Sequence, residues 1–82
     1  MKNLLLESYD KLKQIMNGPV ELEEIHKKTK LPHKVTYDLP KDIEKVKKGN
    51  YSASVRVRRV MQHIKDLTKD IRKEIAQCRE ND

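Results

Sequence analysis

The sequence predicts an all-α fold: a small helical domain with a C-terminal helical hairpin and one long basic amphipathic helix that can pair as a coiled-coil dimer. Three observations lead there. Lys, Glu, Leu, Ile, Arg and Gln dominate, and these residues lose little side-chain freedom in a helix. Three tyrosines are the only aromatics, with two glycines and three prolines, so an aromatic core or a succession of tight turns has little to draw on. Apolar residues also recur at three- and four-residue spacing over much of the chain.

Leu4, Leu5, Tyr9, Leu12, Ile15 and Met16 keep that spacing, which predicts a helix over residues 3–16 with Asn3 as a candidate cap and Tyr9 on the buried stripe. Asn17, Gly18 and Pro19 end it. Val20, Leu22, Ile25 and Leu31 follow in a stretch with acids first and lysines last, an order that suits the dipole of a short helix over residues 20–29. Pro32 stops this helix. In residues 31–40, Val35 and Tyr37 alternate with Lys34 and Thr36, so a brief extended segment is expected inside a linker bracketed by Pro32 and Pro40.

Pro40 fits the first position of a further helix that runs to Lys48 and is closed by Gly49. Asn50 or Ser52 caps the last helix, expected over residues 52–79. Its apolar positions Ala53, Val57, Val60, Ile64, Leu67 and Ile71 alternate by fours and threes, the pattern of a coiled coil or helical hairpin. Past Ile71 the seam meets Glu74 and slides to Ile75 and Cys78, so fraying is expected there. Two parts result: an N-terminal helical segment with its linker, residues 1–39, and a basic helical hairpin, residues 40–82.

At 82 residues only one small core can form. A net charge of +6 favours anionic partners, of which DNA and RNA are the commonest polymers. The single cysteine, Cys78, has no internal disulfide partner and suggests a reducing, intracellular setting. Three leucines before the first acid fall short of a signal peptide, and no stretch has the length of a membrane span, so a soluble, unprocessed chain is expected. An enzyme is not expected, nor a cofactor, metal or small-molecule substrate. His26, His33 and His63 lack partners at metal-ligand spacing and read as surface side chains, and the two glycines stand alone rather than in a phosphate-cradling loop.

The strongest local signal is a stretch without acids between Glu44 and Asp66 that holds Lys45, Lys47, Lys48, Arg56, Arg58, Arg59 and Lys65. Taking Val57, Ile64 and Ile71 as a core row puts Arg58, Lys65 and Arg72 on an outer row, with Lys69 beside them and Arg59 and Lys73 flanking. Such a face suits a phosphate backbone, because each neutralised phosphate releases condensed counterions. The candidate nucleic-acid contacts are therefore Lys47, Lys48, Arg56, Arg58, Arg59, Lys65, Lys69, Arg72 and Lys73. A plainer reading pairs Asp66, Asp70 and Glu74 with Lys69 and Lys73 as a solvated helix face. The crowding of Arg56, Arg58 and Arg59 into one turn favours phosphate, whose oxygens match the guanidinium fork.

Lys48-Gly49-Asn50, then Ala53, Arg56 and Arg58, and further on Leu67, Lys69, Arg72, Lys73 and Glu74 resemble the histone-like nucleoproteins of chlamydiae, which have relatives in Bacteroidetes and large DNA viruses. The resemblance covers residues 47–75. It implies sequence-nonspecific DNA binding and DNA condensation in a nucleoid or viral core (virion), with the hairpin as the histone-like unit. The chlamydial lysine- and alanine-rich tail has no counterpart here, so compaction calls for homo-oligomers or dense coating. Partners are then DNA, with RNA as the alternative, and no membrane. Two other readings stay open: a helical protein-interaction or assembly module with an acidic partner, and a helix-turn-helix DNA binder using residues 12–39.

Overall fold

The computed structural model describes residues 6–80, with Arg79 and Glu80 as backbone only. The elements are α1 (Glu7–Asn17), β1 (Pro19–Ile25), β2 (Pro32–Asp38), α2 (Leu39–Lys47) and α3 (Tyr51–Glu80). The fold is therefore mixed α/β, and the all-α expectation is overturned by an antiparallel hairpin where the sequence predicts a helix and a linker and the helix-turn-helix alternative lies.

The physical reason is a period of two rather than 3.6. Val20, Leu22 and Glu24 on β1 alternate inward with the outward Glu21 and Glu23, and His33, Val35 and Tyr37 on β2 do the same. Register places Val20 opposite Tyr37, Leu22 opposite Val35 and Glu24 opposite His33. An inward glutamate hides the alternation on β1. The connection hides it too, because it has no glycine or asparagine. Lys30 adopts φ 60 there, a left-handed conformation uncommon for a side chain of this kind. His26 holds the turn: its Nδ1 accepts from the amides of Lys28 (3.2 Å) and Thr29 (3.3 Å), while its own amide donates to the Leu31 carbonyl at 2.9 Å.

The helical hairpin forms as expected. Asp38 accepts from the Lys41 amide at 3.2 Å and Pro40 lies in the first turn of α2. Gly49 takes φ 88, and the amides of Lys48, Gly49 and Asn50 return to the carbonyls of Lys45, Val46 and Lys45. Asn50 then caps α3 by accepting from the Ala53 amide at 2.9 Å. No break follows Ile71, since α3 continues to Glu80. Asn3, Leu4 and Leu5 lie outside the described residues. The N-terminus of α1 is met instead by Glu74, whose Oε1 accepts from the Ser8 amide at 3.4 Å.

One core joins these elements: Ile15 of α1, Tyr37 of β2, Leu39 of α2 and Val60 of α3, flanked by Val20, Leu22, Val35, Val57, Ile64 and Leu67. The α3 seam is thus covered by the chain's own hairpin and helices, which removes the need for the coiled-coil pairing expected from its spacing. Tyr9 does not take the buried place expected of it; Tyr37 does. Tyr9 is half exposed, with the Lys13 ammonium 5.4 Å from its ring centre, and Tyr37 is buried.

Candidate nucleic-acid interface

Burial of the α3 seam fixes what the other faces of α3 present. At about 100° per residue, Arg58, Lys65, Lys69 and Arg72 fall in one sector on the side away from the core. All four are exposed, as are Arg59 and Lys73. Asp66, Asp70 and Glu74 follow a separate i, i+4, i+8 row. Among the described residues none of these six cations lies within ion-pair distance of a carboxylate. The pairing with Asp66 and Asp70 that would make this a self-compensated face is thus not formed.

Arg56 is differently placed. Its Nε and Nη2 donate to Asp42 Oδ2 and Oδ1 at 3.1 and 3.0 Å, a forked pair that fastens α2 to α3. Asp42 is buried there, and the hydrogen bonds to it raise the Arg56 pKa further above its usual value. Lys47 lies 3.7 Å from Glu44, one turn back on α2, with both side chains largely exposed. Lys48 is exposed at the turn. The expected contacts therefore separate: the outer α3 cations together, Lys47 and Lys48 at the hairpin end, and Arg56 turned to an internal acid.

A polar cluster that spacing does not reveal joins the strand pair to α3. Glu24 Oε2 accepts from the Tyr37 hydroxyl at 2.6 Å and lies 2.8 Å from His63 Nε2, so that nitrogen carries the shared proton. His63 is accordingly a partly buried tether, not the surface side chain expected. Burial alone would raise the Glu24 pKa, but the hydrogen bonds from Tyr37 and His63, with the charges of His63 and Arg59, bring it below its ordinary value. Tyr37 is pushed up to about 12 by burial and by its bond to the Glu24 carboxylate.

The sign of the pH dependence follows. The Glu24 contribution to stability is full above the ordinary 4.5 and is lost as pH falls through its depressed folded value. The Tyr37 contribution is full below 10 and is lost as pH rises toward about 12. Tyr37→Phe is expected to cost about 1–2 kcal/mol at neutral pH. Urea midpoints of the two proteins should converge at both ends of the pH range. A gap independent of pH would assign the loss to packing instead.

Among the described residues no group of three or more His, Cys, Asp or Glu is arranged to hold a metal ion, and no helix is long and apolar enough to cross a membrane. What the fold offers is a small scaffold that braces one long helix and turns outward a row of cations with no carboxylate within ion-pair distance among the described residues. The sequence profile of the histone H1-like protein Hc1 family matches residues 21–81. The chain belongs to this family, and its general role is that of a histone-like, DNA-binding protein. The match begins within β1, so the family unit takes in the strand hairpin as well as α2 and α3, and leaves α1 outside it. Comparison with curated proteins finds no match, and neither does comparison with solved structures.

Proposed function

We propose that this protein coats and compacts DNA in a nucleoid through phosphate contacts that do not read sequence. One observation carries the reading: Arg58, Lys65, Lys69 and Arg72 share an exposed sector of α3 without carboxylate partners among the described residues, while the opposite face of the helix is packed on the core from Val57 to Leu67. Lys73 extends the sector at its flank, Arg59 lies about 100° further round the helix on its hairpin side, and Lys47 and Lys48 add charge at the α2–α3 turn. Arg56 serves the interface by holding α2 against α3. Histone H1-like family membership supports a nucleoid rather than a viral core. Self-association belongs to the same proposal. With the α3 seam buried, the apolar side chains left for it include Ile43, Val46 and Met61, which are 38%, 38% and 43% exposed.

The test is a salt titration against unrelated duplexes, single strands and RNA. Affinities for the duplexes should fall together, with a slope of about 0.9 in log affinity per log salt for each phosphate neutralised. Duplex affinity that is insensitive to salt, or confined to one sequence, would overturn the proposal. Tighter binding to RNA than to any duplex would move the partner.

A further inference from the structure

The connection between β1 and β2 carries a second cluster of cations that the α3 row does not include. His26, Lys27 and Lys28, together with His33, Glu24 and Arg59, line an open cleft of about 470 Å³ between the strand hairpin and α3. Lys27 and Lys28 are exposed, and neither lies within ion-pair distance of a carboxylate among the described residues. The acid at the back of the cleft is already engaged: Glu24 Oε2 takes the Tyr37 and His63 hydrogen bonds. The His26 side chain braces the backbone amides of Lys28 and Thr29, so the two lysines spring from a fixed turn.

Position on α3 separates this cleft from the outer row. One residue of helix rotates about 100°, which turns Arg59 away from Arg58 and toward the face that holds His63, one turn on. His63 touches Glu24 of the hairpin, so Arg59 and His63 lie along the hairpin side of the helix.

The geometry points to a second phosphate-binding site, in which Lys27, Lys28 and Arg59 take one or two backbone phosphates of a nucleic acid in the cleft between the strand hairpin and α3. The inference rests on the DNA-binding reading above and deepens it. Two cationic surfaces facing about 100° apart give a single chain the means to touch two stretches of backbone, a route to compaction by bridging.

The experiment uses the full chain, with Lys27→Gln/Lys28→Gln compared with the wild type on a short duplex across a salt series. Both side chains are exposed, so an unchanged thermal midpoint is expected. The salt slope should drop by about 1 to 2, and in the wild type the amide resonances of Lys27, Lys28 and Thr29 should shift as duplex is added at low salt. An unchanged slope with silent tip amides, while α3 resonances shift, would overturn the second site and leave the α3 reading standing. No duplex binding by the wild type would overturn both. Inorganic phosphate in place of duplex gives the third arm: tip shifts of the same size at matched phosphate concentration would mark a small-anion pocket and overturn the nucleic-acid assignment.

Discussion

Replacing Arg58, Lys65, Lys69 and Arg72 together with glutamine is expected to lower duplex affinity roughly a thousandfold near 0.1 M salt and to cut the salt slope by about 3 to 4. Four phosphate contacts at about 0.9 each give the slope, and the same counterions give the affinity. Glutamine is nearly as good a helix former as lysine or arginine, and these positions bury nothing in the core. Helical circular dichroism should therefore be unchanged. Arg56→Gln is the control within the experiment. It leaves buried Asp42 without its forked partner, so the urea midpoint should fall while the salt slope moves by less than it does for Arg58→Gln. A loss under tenfold in the fourfold variant would sink the α3 row as the contact surface.

Ile15→Ala is expected to cost about 2–5 kcal/mol. Ile15 is fully buried and is the point at which α1 enters the core with Tyr37, Leu39 and Val60. Small domains hold only about 5–15 kcal/mol in total, so this one truncation removes a large share. Denaturant unfolding followed at the helix signal measures it. A loss below about 1 kcal/mol would mean that α1 is not integral to the core. The same variant asks whether the first helix matters to DNA. If α3 keeps its shape without α1, affinity per folded molecule should hold while the midpoint falls.

The helical parts of the chain were legible because their signals are local. Pro40, Gly49 and Asn50 each occupy the position their backbone chemistry suits, as an early residue of α2, a left-handed closure and the cap of α3. The outward row on α3 was equally legible, since a helix of known seam has a known opposite face. The strand hairpin was not. Acids before lysines over residues 20–29 mimic the charge order of a helix, the inward Glu24 breaks the apolar alternation, and the turn uses His26 and Lys30 where glycine or asparagine is the usual marker. His63 looked like a surface histidine because its partner, Glu24, lies 39 residues away in the chain.

Sequence by itself thus determined the long basic helix, its cap, the turn before it and the sector in which its cations lie, all consequences of spacing within a few residues. Tertiary structure alone decided what covers the seam of that helix and which cations are free. The buried face is taken by the chain's own strands and helices, and Arg56 is drawn to Asp42 because burying that carboxylate requires a partner. Such choices depend on which residues fold to within about 3 Å of one another, and no spacing along the chain records that.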